Sequence, residues 1–278
     1  MRKHFLSSIV TVFTGIVCWG GVAAQAQTAP PANRDLSGIW DLKQAASPPW
    51  APDTNNAFAS EMPMQQWAQD FCKEVGCGRG VFSWGAPTGD AYLQGKDPTI
   101  TRCVPNGFPR VLLSGGLMEI LQVPNRVLMR FENFNELREI WTDGRKHPES
   151  PNRPWMGHAI GRWDGDTLVT DTVDFYGDPK IKWLDEAGHP HSEALHVTER
   201  IRRADRNTLH DQVTFEDPKT YTAPIRGTLT YELRPNAEIA EFMWNCEDRI
   251  FADSPDDAWP FFTGEYPKPQ YPPAGTKP

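Results

Sequence analysis

From residue 116 onward the chain alternates apolar and polar positions with a period of two. That pattern predicts strands near 116–123, 126–132, 136–142, 157–163, 166–175, 194–204, 207–217, 224–234 and 238–247. Tight-turn pairs separate several of them: Pro124-Asn125, Asp164-Gly165, Asp205-Arg206 and Pro235-Asn236. An earlier run, Leu36 to Leu42, reads as one more strand. Serial hairpins build an antiparallel meander, and a sheet this large with one apolar face tends to close and so lose its edges. The expected fold is all-β, a meander closing into a lipocalin-like barrel of about 8–10 strands.

The period turns helical before that. Met64, Trp67, Ala68 and Phe71 follow Pro63 at helical spacing, predicting one short N-terminal helix of about ten residues. Residues 76–110 are rich in Gly and Pro and have no clear period, which suits a lid or binding loop. No strand–helix alternation, Gly-rich phosphate loop or internal repeat is present.

The start of the chain reads as a secretory signal over 1–26: a basic beginning at Arg2-Lys3-His4, an apolar run from Phe5 to Val17, and Ala24-Gln25-Ala26 as the cleavage site. The apolar run is short and interrupted, and no other stretch is apolar enough to span a bilayer. A Pro/Ala linker follows over 27–34. The barrel domain is expected over 35–250 with a loop and helix insertion at 43–115, and 251–278 form a Pro-rich tail. The reading is a periplasmic or secreted protein.

Removal of that segment leaves Cys72, Cys77, Cys103 and Cys246. Four cysteines allow three pairings. Cys72 and Cys77 bracket a short loop; Cys103 with Cys246 would tie the early loops to the last strand. Zinc and free thiols are the rival readings, and an oxidising compartment favours disulfides.

The net charge of −8, from 36 acidic and 28 basic residues, argues against nucleic acid and anionic membrane surfaces as partners. Eleven tryptophans suit a β-rich protein that binds an apolar or aromatic small molecule.

Candidate chemistry centres on Trp155 to Phe175. His158, Ile160 and Arg162 share one face of a hairpin strand, and Val169, Asp171 and Val173 share one on the next. Each apolar row carries one group able to exchange a proton, so His158 and Asp171 are either hydrogen-bonded core residues or working groups of a pocket. Glu199, Asp211 and Glu241 also stand in apolar strand rows. An unpaired charge in a dry core costs several kcal/mol. These acids should therefore pair with arginines such as Arg130, Arg145 or Arg200, line a wet chamber, or face outward if the register is off by one. His189, His191 and His196 cluster locally but lack a carboxylate at ligand spacing, so a structural or surface role is expected and no metal. No G-x-S-x-G or convincing nucleophile turn supports a hydrolase triad.

Gly38-x-Trp40 looks like the start of lipocalin-type barrels, in which the Trp plugs one end beneath a late arginine; Arg249 is the candidate here. Longer motifs resemble a family of exported bacterial proteins: D-L-S-G-I-W at 35–40, C-V-P-N-G-F-P-R at 103–110, D-G-R-K-H-P at 143–148, M-G-H-A-I-G-R-W-D-G-D-T-L-V-T-D-T at 156–172, W-L-D-E-A-G-H-P-H-S-E-A-L at 183–195 and E-R-I-R-R-A-D at 199–205. The resemblance covers nearly the whole chain after the signal. It implies that Arg110, Asp143, Arg145, His158, Asp166, Asp171, His191 and Glu199 matter. It also implies, from relatives acting on lignin-derived aromatic dimers, a decarboxylase or lyase without a cofactor. The expected site has His158, Asp171 and Glu199 as catalytic groups, with Arg110, Arg145, Trp155, Trp163 and His191 holding substrate. The alternative is a non-catalytic periplasmic binding protein for an apolar small molecule.

Overall fold

The computed structural model describes residues 34–43, 62–77, 96–101, 104–114, 116–149 and 152–240. The signal segment, Cys103, Glu241, Cys246, Arg249, most of the 238–247 strand and the tail fall outside these residues, and 238–240 are not strand.

Nine strands close into one barrel: β1 Gly38–Leu42, β2 Leu117–Val123, β3 Arg126–Phe131, β4 Leu137–Trp141, β5 His158–Asp164, β6 Thr167–Val173, β7 His196–Arg203, β8 Thr208–Glu216 and β9 Ile225–Leu233. Closure is made by β9 pairing with β1, with Trp40 opposite Leu233. All neighbours are antiparallel except β4 and β5, which run parallel with Ile140 opposite Ala159. Parallel neighbours cannot be joined by a tight turn, and this pair is bridged by the long 142–157 connection, so the meander breaks there.

Asp164 lies opposite Thr167, so the β5–β6 turn is centred on Gly165-Asp166, one residue later than the sequence suggests. Gly165 has φ +63 at the first central position, where glycine is favoured. Shifting the centre by one moves each pairing by two residues, so the division into faces is unchanged. Which face points inward is a separate matter. Ala159, Leu168, Thr170 and Thr172 are buried inside, and His158 and Asp171 stand on the outer face.

The interior is filled by Met118, Ile120, Met129, Phe131, Ile140, Leu168, Val197, Ile201, Val213, Phe215 and Leu229 among others. Trp40 plugs one end: its Nε1–H donates to the Leu36 carbonyl at 2.9 Å, and Arg203 lies over its ring at 5.1 Å. Arg203 thus takes the place expected for Arg249. At the opposite end residues 104–114 form a cap, in which Phe108 sits 3.7 Å from the Arg138 guanidinium.

Helix α1 spans Gln66–Val75 and ends in Gly76 at φ +85. Cys72 and Cys77 form a disulfide across that end. No helix among the described residues is long and apolar enough to cross a membrane.

Candidate active site

Inside the barrel, among the described residues, the one strong ion pair is Arg138 with Glu199, both 0% exposed. The guanidinium forks onto the carboxylate at 2.9 and 2.5 Å, and one arm also donates to Thr172 Oγ1 at 3.0 Å. Thr170 Oγ1 donates to Glu199 at 2.6 Å. Thr170 and Thr172 therefore face inward to satisfy this pair, and Arg138 is the partner in place of Arg130, Arg145 or Arg200. Asp211 lies beside it; burial, reinforced by the Glu199 charge, pushes its pKa well above the usual carboxylate range. Glu199 is sealed among partners and core, away from His158 and Asp171.

Those two residues are joined on the outside of the sheet by His147, which comes from the 142–157 connection. His147 Nδ1 lies 2.8 Å from His158 Nδ1, and its Nε2 lies 3.1 Å from Asp171 Oδ1. His196 Nε2 reaches the same Asp171 oxygen at 3.0 Å, and His196 Nδ1 is 3.8 Å from Glu216. A single set of neutral tautomers satisfies these contacts. His158 Nδ1–H donates to His147 Nδ1, and the Nε2–H groups of His147 and His196 both donate to Asp171. The His158 Nε2 lone pair is then left outward as a base. Partial burial, followed by the neighbouring His147 and Arg145, holds the His158 pKa below the ordinary histidine range. The side chains of His147, Asp171 and His196 are between a quarter and a half exposed, so the line is open to a solute. His147 lies within D-G-R-K-H-P, but an irregular loop carries no period that could have tied it to β5 and β6.

The expected substrate-holding residues do not gather here as a set. Arg145 is nearby but engaged: it clasps Asp143 at 2.6–3.0 Å and lies 3.5 Å over the Trp141 ring. Trp155 stacks on Tyr176 at 5.3 Å, and its carbonyl accepts the Phe108 N–H and the Lys182 ammonium. Trp163 is five residues from His158, about 17 Å along the strand, and packs against the core beneath Arg34.

Arg110 and His191 are buried in the capped end instead. Arg110 forks onto Asp97 at 3.0 and 2.6 Å and lies 5.5 Å over Trp183. His191 Nδ1–H donates to the Ser192 carbonyl at 3.0 Å; burial, with Lys182 close by, drives its pKa down to about 3. Glu136 accepts the Gly107 N–H and is raised to about 7 by burial, while burial lowers Lys182 to about 7. The three nearby histidines of the sequence thus separate. His189 is buried on Asp185 at 2.8 Å, His191 is buried under the cap, and His196 joins the outer line.

No protein-family model and no curated protein matches the chain. Among the described residues no group of three or more His, Cys, Asp or Glu is disposed to hold a metal ion. What the outer line can do is move a proton: His158 takes or gives it at Nε2, His147 carries the charge, and Asp171 stabilises that cation.

Proposed function

We propose that this chain is an exported lyase of the decarboxylase type that acts on a hydrophobic aromatic acid without a cofactor. The observation that supports this reading is His147 bridging His158 and Asp171 on an open face. Decarboxylation of an aryl-conjugated acid needs a proton delivered to the carbon that bears the carboxylate. A para-hydroxylated ring can take up the resulting positive charge as a quinone methide. In the proposed step the His158 imidazolium gives its Nε2 proton to that carbon. The bond to the carboxylate then breaks, its electron pair restores the double bond, and CO2 leaves. One carboxylate and one proton become CO2 and the shortened product. Solvent restores the proton at His158 Nε2, while His147, backed by Asp171, accepts the His158 Nδ1–H and shares the charge of the imidazolium. A histidine of lowered pKa is the stronger acid, which favours the transfer. His158 is the catalytic residue in this scheme, and His147 and Asp171 are positioning residues.

The test is incubation of the purified protein with 4-hydroxycinnamate and related phenolic acids, with no cofactor added and product followed by chromatography. Turnover is expected to rise as pH falls through the His158 range below 6.5, because only the protonated ring donates. His158→Gln and His147→Gln should each lower kcat by about 10²–10⁴-fold. Quenching of tryptophan fluorescence by these acids with no product formed overturns the reading in favour of a binding protein.

A further inference from the structure

The guanidinium of Arg145 is engaged along one edge only. Its Nε–H and one Nη2–H clasp Asp143 at 2.6–3.0 Å. A guanidinium carries its N–H donors in a flat, rigid fork, and Nη1 meets no partner among the described residues. The end of the fork, Nη1 with the second Nη2–H, is therefore free, and the side chain is 39% exposed. Its orientation is fixed twice over: Asp143 holds one edge, and the Trp141 ring centroid lies 3.5 Å from its central carbon. A fork prepared in this way loses little freedom on meeting a carboxylate. Arg126, the other guanidinium at Trp141, differs in having Nη1 on Glu139 at 2.8 Å.

The free end lies beside the outer His/Asp line. Trp141 is opposite Ile160, and Ile160 is opposite Asp171, so one rung of the sheet runs from the base of Arg145 to the acid of that line. Arg145 precedes His147 by two residues, so their Cα atoms are at most about 7 Å apart. His158 turns Nδ1 toward His147, whose ring reaches over to Asp171 on β6. The other edge of the His158 ring, with Nε2, is then turned toward β4, the side of Trp141 and Arg145. The Arg145 charge already reaches His158 and is one cause of its lowered pKa. Ile160 gives an apolar floor beside both groups.

We infer that the free end of the Arg145 fork holds the carboxylate of the substrate, with the adjoining carbon at His158 Nε2 and the aromatic ring over Ile160. Arg145 is then the residue that selects acids over neutral aromatics. The part played by His158 rests on the lyase reading; the carboxylate subsite does not. The carboxylate is still whole when the proton arrives, so the fork grips ground state and transition state alike and acts on KM.

The probes are 3-(4-hydroxyphenyl)propanoate, which has no conjugated double bond to protonate, and its amide, titrated calorimetrically into the full chain. The acid is expected to bind about tenfold more tightly, as one charge-assisted contact allows. Arg145→Gln should abolish that advantage and leave the affinity for the amide and the melting temperature unchanged. Arg145→Lys should restore part of it, because a point charge replaces the fork. Arg226→Gln removes an exposed guanidinium on β9, four strands from His158, and should leave the advantage intact. Equal affinity for acid and amide, failure of both to bind, an advantage that survives Arg145→Gln, or one that Arg226→Gln removes as well overturns the inference. With 4-hydroxycinnamate as substrate, Arg145→Gln should raise KM about tenfold and change kcat little; a fall in kcat at constant KM overturns it too. If the acid preference depends on Arg145 while no phenolic acid is turned over, the lyase reading falls and the subsite stands.

Discussion

The two faces of β6 and β7 carry similar residue types in opposite conditions. Inside, Thr170, Thr172 and Glu199 surround Arg138 in a place closed to water. Outside, Asp171 and His196 lie on the same two strands, yet they meet His147 and His158 half-exposed. A buried charge must be matched in full, because an uncompensated ion in the core costs several kcal/mol. Pairing occupies the Arg138 fork and both Glu199 oxygens, while Arg138 Nε and the Tyr231 hydroxyl keep no hydrogen-bond partner among the described residues, in a place closed to substrate. The half-exposed face tolerates an incompletely used network, and an unused lone pair such as that on His158 Nε2 is what acid–base chemistry requires. The more deeply buried polar cluster is therefore the structural one, and the looser cluster is the better candidate for function.

The largest expected effect tests the inner half of this comparison. Arg138→Met leaves Glu199 charged or forces its protonation, and should cost about 3–5 kcal/mol of stability in denaturant titration. Arg138→Met combined with Glu199→Met should recover most of that loss, because apolar replacement of a whole buried pair is often close to neutral. If the double variant is as unstable as the single, the barrel centre depends on the charges for more than mutual compensation.

His191 supplies a smaller effect with a definite sign. Unfolded, it binds a proton near pH 6.5; folded, it does so only near 3. Between those values the unfolded chain holds more protons, so stability rises with pH across this window. As pH falls below 6.5, His191 should withdraw about 1.4 kcal/mol per pH unit until pH 3 is approached. Glu136 acts in the opposite direction between its ordinary pKa and about 7, so the His191 contribution must be read as a difference. His191→Gln should flatten the acid limb of the stability curve relative to the parent chain. Identical slopes would mean that His191 is not held neutral under the cap.

The barrel was legible in the sequence because period-two patterning and turn chemistry are local signals. The short helix and the Cys72–Cys77 bridge were legible for the same reason. The polarity of the hairpin faces was not, since both faces of β5 and β6 hold apolar residues, and the face with His158 and Asp171 could have been either one. The deciding group is Arg138, three strands away from Glu199 in chain order. Its signal was present: in Leu137-Arg138-Glu139-Ile140-Trp141 the arginine shares a row with Ile140, and an arginine in a buried row demands an acid across the barrel. His147 left no comparable trace. Its place depends on where an irregular connection crosses the sheet, which is a tertiary matter. Arg110 and His191 stood out as functional by their motifs, but they are motif residues of the cap, where buried pairing with Asp97 and Ser192 gives them a packing role.

The smallest expected effect tests the outer half. His147→Gln removes two hydrogen bonds from a partly exposed network, where the net worth of each is modest. It should change stability by less than about 1 kcal/mol, a shift of only a few degrees in melting temperature for a domain of this size. That near-silence is informative only beside the Arg138 result. Were His147→Gln to cost as much stability as Arg138→Met, the outer network would be pinning the 142–157 connection to the barrel. Its open lone pair would then be incidental. A small loss of stability with a large loss of turnover separates a group kept for chemistry from one kept for folding, and on this barrel the dividing line between them is the sheet itself.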